Sequence, residues 1–162
     1  MESRLLIDGW KSNMRFSACH VLLRHDKCSR IHGHSYAVHM DIRGSLDENH
    51  MLADFGKLKR TIRTLIEKLD HKALVPTENP DILLKESGPD NIRLDMNGKV
   101  YSFPRSDVVT LPIPTTTVEE LSKYFLKRFL EEIDIPKGVK RVSIGVDEGS
   151  GQGAWSTQEI VR

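Results

Sequence analysis

The sequence predicts an α+β fold: an antiparallel four-stranded sheet with two helices on one face, ordered β-β-α-α-β-β, plus a hairpin inserted between the helices. Three observations carry that expectation. Apolar residues recur at helical spacing in two stretches, around 55–69 and 118–133. Apolar and polar residues alternate in two others, around 36–43 and 142–146. Between the helical stretches lies Asn97-Gly98, the strongest short signal for a two-residue hairpin turn.

Taken in order, residues 3–23 are rich in apolar and aromatic types and read as an extended segment, bulged near Gly9. Tyr36, Val38, Met40 and Ile42 then alternate with Ala37, His39, Asp41 and Arg43 and mark a half-buried strand that ends at Gly44-Ser45. Asp54 caps the first helix, whose stripe is Phe55, Leu58, Ile62, Leu65, Ile66 and Leu69, and which stops near Asp70-His71. Residues 76–114 hold most of the prolines together with the predicted hairpin. Thr117-Val-Glu-Glu120 is a capping-box pattern opening the second helix, striped by Val118, Leu121, Phe125, Phe129 and Ile133. Pro136 and Gly138 end it. Val142, Ile144 and Val146 mark a third strand, and residues 153–161 a fourth.

At 162 residues the chain suits one domain, residues 1–162, with a core that needs neither disulfide nor metal as a staple. A formal net charge of +1 gives nothing global that points to nucleic acid or an anionic membrane. No apolar run reaches the length of a membrane span, and Met1-Glu-Ser-Arg-Leu5 lacks the form of a signal peptide. Two cysteines without secretory context, Cys19 and Cys28, point to reduced thiols and a cytoplasmic protein.

The densest chemical signal is a run of soft and borderline ligands. His20, Cys28, His32 and His34 cluster in a chain that has 7 His and 2 Cys. His32 and His34 share the parity of Tyr36 and Val38, so a strand reaching back that far turns both imidazoles to the covered face. With His20 they form a three-histidine set suited to Zn²⁺ with its fourth position open. Gly33 between them permits close approach of backbone or substrate. Cys28 is either a fourth ligand, which would close a structural site, or a free thiol acting as base or nucleophile. Cys19 faces the other way and reads as a small core residue; His25, His39 and His50 read as ordinary.

Asp70-His71 reads either as a helix end carrying a favourable imidazolium or as an Asp-oriented proton relay. Glu148 shares the inward parity of Val142, Ile144 and Val146. A carboxylate so placed requires donors, which the N–H edge of a guanine or pterin ring would supply, unless it instead caps the Gly149–Gly153 loop.

Together these residues resemble a known family. Phe16-Ser-Ala-Cys-His20, Cys28-x-x-x-His32-Gly-His34-x-Tyr36, Asp54-Phe55, Leu69-Asp70-His71, Thr116-Thr117-Val-Glu119-x-Leu121 and Val146-x-Glu148 stand in the order seen in the 6-pyruvoyl-tetrahydropterin synthase / 6-carboxy-tetrahydropterin synthase family. The resemblance runs from about residue 5 to 155. It implies the tunnelling fold, homohexamers, and active sites at subunit interfaces. It implies zinc on His20, His32 and His34, a catalytic relay of Cys28, Asp70 and His71, and pterin contacts from Glu148, Thr116 and Thr117. The implied substrate is 7,8-dihydroneopterin triphosphate. The three-residue gap between Cys28 and His32 looks like the 6-carboxy type, which releases triphosphate and acetaldehyde in 7-deazaguanine (queuosine-type) synthesis. The alternative is the 6-pyruvoyl reaction, in which the carbons are retained. Relatives with glutamate in place of the cysteine yield a 6-hydroxymethylpterin, and Cys28 argues against that activity. Segment 76–114 is longer than in compact members, and Glu120 stands where Asn is usual. From other classes, a non-catalytic zinc-stabilised pterin-binding module and a purely structural homo-oligomer are the competing readings.

Overall fold

The computed structural model describes residues 1–161. Its elements are β1 Ser3–Ile7, β2 Arg15–His20, β3 His32–Gly44, α1 Phe55–Glu67, β4 Lys72–Pro76, β5 Ile82–Glu86, β6 Asn91–Met96, β7 Lys99–Pro104, β8 Val108–Leu111, α2 Val118–Glu132, β9 Val139–Glu148 and β10 Gly153–Glu159. The main sheet has the strand order β10-β9-β3-β2-β4-β8, with β1 also paired to β3. The antiparallel sheet expected from sequence forms its centre. The sheet is larger than the four strands expected, because β4 and β8 extend it by parallel pairing onto β2.

The long extended segment divides for a local reason. Residues 8–14 bulge outward between β1 and β2, so both strands pair along the same edge of β3. Gly9 sits at the bulge, where a Cβ would lie 2.3 Å from the Val38 carbonyl oxygen, and only glycine allows that approach. The bulge is pinned from β3 and β9: the Gly9 N–H donates to His39 Nδ1 at 3.1 Å, and the Trp10 indole donates to Asp147 at 2.8 Å.

Both helices cover one face of the sheet. Leu58, Ile62, Leu65 and Ile66 from α1 and Leu121, Phe125, Leu126 and Phe129 from α2 form one core with Phe16, Tyr36, Val38, Met40, Ile42, Val142, Ile144 and Val146. Each such side chain contributes about 1.5–3 kcal/mol by leaving water. Both N-caps form, although Glu120, the other half of the expected capping box, pairs with Lys123 instead. Asp54 accepts from the Lys57 N–H at 3.0 Å, and Thr117 accepts from the Glu120 N–H at 3.5 Å.

The predicted hairpin is β6–β7, turning at Asn97 (φ 47°) and Gly98 (φ 79°). It is joined by β5 into a separate three-stranded sheet, a strand more than expected. Ile92, Leu94 and Met96 of β6 bury one face of this sheet against Val21 and Val75. Among the described residues no helix is long and apolar enough to cross a membrane.

Candidate metal centre

Strand register assembles the site. Antiparallel pairing of β2 with β3 sets His20 directly opposite His32 and Ala18 opposite His34. All three imidazoles therefore leave the helix-covered face, and their ligand atoms lie within 4.8 Å of one another. The Nε2 atoms of His20 and His32 are 3.2 Å apart. Each ring is oriented through its other nitrogen. His20 Nδ1 lies 3.1 Å from both the carbonyl and the hydroxyl of Thr116, just before α2, and His32 Nδ1 lies 2.7 Å from the Arg30 carbonyl. A carbonyl only accepts, so both Nδ1 atoms carry the hydrogen and both Nε2 lone pairs point at each other.

Two facing lone pairs need a proton or a cation between them. Burial holds the His20 imidazole down at about 4, with the neighbouring His32 adding to the effect, so the ring is neutral at physiological pH. Burial lowers His34 as well; there the Glu148 carboxylate pulls upward and His32 downward. His34 Nε2 is buried without a hydrogen-bond partner, although Glu148 Oε1 approaches to 2.9 Å. Two imidazoles with their tautomers fixed, beside a third whose Nε2 is orphaned, suit a borderline divalent cation, so the residues fit the zinc that the sequence implies.

Glu148 ends β9 opposite Tyr36 and thereby reaches the same site. Tyr36 is an addition that the sequence reading did not single out. Its phenol is fully buried, stacks on Phe16 at 4.8 Å, and sets its oxygen 3.4 Å from His20 Nδ1. Burial, reinforced by the Glu148 carboxylate, pushes the phenol far above its ordinary value, so it remains a neutral donor. Its shared parity with His34 was the available signal.

Among the described residues the other candidates share no hydrogen bond or ion pair with this cluster. Asp70 closes the α1–β4 joint: one carboxylate oxygen accepts from the Ser17 N–H at 2.8 Å and the other lies 2.9 Å from His71 Nδ1. Burial works to raise the Asp70 carboxyl, but the Ser17 N–H and His71 outweigh it and hold it below its usual value. His71 has φ 58° and an 82% exposed side chain, and it shares an open groove with His34, Ser17, Cys19 and Lys72. Cys28 is a free, half-buried thiol in the 3₁₀ turn Lys27–Ser29. Among the described residues no hydrogen bond or ion pair joins it to Asp70 or His71. Thr117 serves as the α2 cap. Cys19, read as a core residue, is half-buried, and burial pushes its thiol up.

A mainly antiparallel sheet backed by two helices, with a tri-histidine cluster under the start of α2, defines a tunnelling-fold protein with a metal-competent site. Residues 10–159 match the family model described as 6-pyruvoyl tetrahydropterin synthase. The chain belongs to that family of tetrahydropterin synthases. It is 31% identical over 153 residues, 93% of each chain, to a putative 6-carboxy-5,6,7,8-tetrahydropterin synthase of Methanocaldococcus jannaschii. It is 29% identical to the 6-carboxy-5,6,7,8-tetrahydropterin synthase of Aquifex aeolicus, over 83% of this chain and 80% of that one. Among solved structures, a Plasmodium vivax 6-pyruvoyltetrahydropterin synthase carrying a catalytic-residue substitution superposes with TM-score 0.91 at 28% identity over 99% of both chains.

Proposed function

We propose that this chain is a zinc-dependent 6-carboxy-tetrahydropterin synthase. It converts 7,8-dihydroneopterin triphosphate to 6-carboxy-5,6,7,8-tetrahydropterin with loss of triphosphate and acetaldehyde, in cytoplasmic 7-deazaguanine synthesis. The observation that carries this reading is the opposed Nε2 pair of His20 and His32 at 3.2 Å with both Nδ1 atoms already engaged. His34 completes the ligand set. Zinc held there would supply Lewis acidity to the side-chain hydroxyls of the substrate.

The remaining work falls to the chain. Glu148, inward-facing beside His34, accepts from the 2-amino and N3–H edge of the pterin, with Thr116 and Thr117 lining the same end of α2. Cys28 as thiolate takes the proton from a side-chain carbon. Asp70 holds His71 Nδ1 at 2.9 Å, which leaves Nε2 as the atom that exchanges the second proton. The outward His71 then belongs to a site completed across a subunit boundary, which fits a homohexamer.

The 6-carboxy product is favoured by the three-residue gap between Cys28 and His32 and by the names of the M. jannaschii and A. aeolicus relatives. The 6-pyruvoyl reaction is the second reading, favoured by the P. vivax likeness. Mass analysis of products from zinc-loaded protein and 7,8-dihydroneopterin triphosphate decides between them. Acetaldehyde with a 6-carboxypterin supports the first; a 6-pyruvoyl product supports the second. Unchanged substrate would remove Cys28 from catalysis.

A further inference from the structure

The inserted sheet ends on the loop that carries Cys28. The cause begins at Asn97-Gly98, whose positive φ values return β6 into β7 within two residues. Lys99, the first residue of β7, therefore stands at the hairpin tip, and its Nζ donates to the Ser29 carbonyl at 2.8 Å. Ser29 directly follows Cys28. On the inner side of the same loop, Val21 and Leu23 pack against Ile92, Leu94 and Met96. Arg24 pairs with Asp81, just ahead of β5, at 3.2 Å. Inside the loop the Leu22 N–H donates to the Cys28 carbonyl at 2.8 Å, and the Ser29 N–H donates to the His25 carbonyl at 2.8 Å. One residue past Ser29, the Arg30 carbonyl orients His32.

We propose that the inserted sheet is a positioning device for residues 21–31, with Lys99 as the residue that holds the Cys28 turn in place. This rests on the synthase reading for what Cys28 does. Between Leu23 and Ile31 the loop is polar (Arg24-His-Asp-Lys27, Ser29-Arg30) and has little apolar surface to fix itself. A thiol that removes a proton from carbon must nonetheless be held within hydrogen-bond reach of it. The hairpin supplies what the loop lacks, a rigid two-stranded arm tipped with a cation aimed at a backbone carbonyl.

The test uses the full chain with Lys99→Met, which keeps the stem and removes the donor, and Lys99→Arg, which restores a donor. Amide hydrogen exchange across residues 25–30 is compared with steady-state turnover. Lys99→Met should exchange there about three- to tenfold faster, with the main sheet unchanged. Its kcat should fall by a similar factor at unchanged KM, and Lys99→Arg should recover both. Equal exchange in Lys99→Met and wild type overturns the proposal, as does faster exchange with unaltered kcat. If wild-type protein never turns over the pterin triphosphate, the synthase reading fails instead. Exchange then still decides whether Lys99 holds the loop.

Discussion

Replacing His20 by alanine separates two roles that one ring performs. Nδ1 is structural: it donates to the buried Thr116 carbonyl at 3.1 Å from a side chain only 2% exposed. Its removal leaves that carbonyl unpaired beside a ring-sized void, a cost of about 2–4 kcal/mol with no metal present. Nε2 faces His32 Nε2 at 3.2 Å and is a ligand of the proposed site, so its loss appears only in what zinc adds. With free zinc a thousandfold above the dissociation constant, the wild type gains about 4.1 kcal/mol. Losing an outer partner of a ligand weakens metal sites by about 10–100-fold, so losing a ligand itself should remove at least about 2.7 kcal/mol of that gain. The assay is urea unfolding of wild type, His20→Ala and His32→Ala, each with and without zinc. His32→Ala should cost about 1 kcal/mol without metal, since its outer nitrogen meets only the Arg30 carbonyl, yet forfeit as much of the zinc increment. A zinc increment in His20→Ala equal to that of wild type would falsify the tri-histidine assignment.

Three further outcomes are expected. Glu148→Gln should raise KM for the pterin substrate about tenfold or more while retaining the zinc increment, because a charged acceptor is lost from the pterin edge; an unmoved KM would take Glu148 out of substrate contact. Phe125→Ala, at a site with 0% exposure between Phe16 and Tyr124, should cost about 3–5 kcal/mol in urea unfolding, and a loss below about 1 kcal/mol would contradict the packing described. At Asp41, burial raises the carboxyl, but Arg4 and Arg43 outweigh it and hold it below the usual value. That contribution is present above the ordinary carboxylate range and is lost as pH falls through the lowered value. Asp41→Asn should therefore be destabilised at pH 6 but show a shallower loss of stability between pH 4 and 2; parallel profiles would refute it.

The parts of the fold legible in the sequence were those fixed by local periodicity. The stripe from Phe55 to Leu69 and the stripe from Val118 to Ile133 each needed only a helical repeat. The core contains both apart from Phe55, which is exposed, and Val118 and Ile133, which are partly buried. Asp54, Thr117 and Asn97-Gly98 act through hydrogen bonds or dihedral preferences within a few residues, and all three operate where the pattern put them. The strands that escaped notice were β4, β5 and β8. Lys72–Pro76 and Val108–Leu111 are short, and what makes them strands is parallel pairing to β2 and to each other, a contact with distant sequence. The β5 segment Ile82–Glu86 is largely exposed, so burial imposes no alternation on it.

The sequence by itself determined which side chains could share a face. Period-two parity committed His32, His34, Tyr36 and Glu148 to the covered side of the sheet, and Cys19 to the other. Tertiary structure alone decided which of them meet. The β2–β3 register set His20 against His32, the β3–β9 register brought Glu148 opposite Tyr36, and the chain before α2 delivered the Thr116 carbonyl that fixes the His20 tautomer. It also laid Lys99 on the Cys28 turn. The reason is physical. Parity is a property of each residue's own backbone, whereas register and loop docking are set by energies shared between segments far apart in sequence, and no local pattern records them.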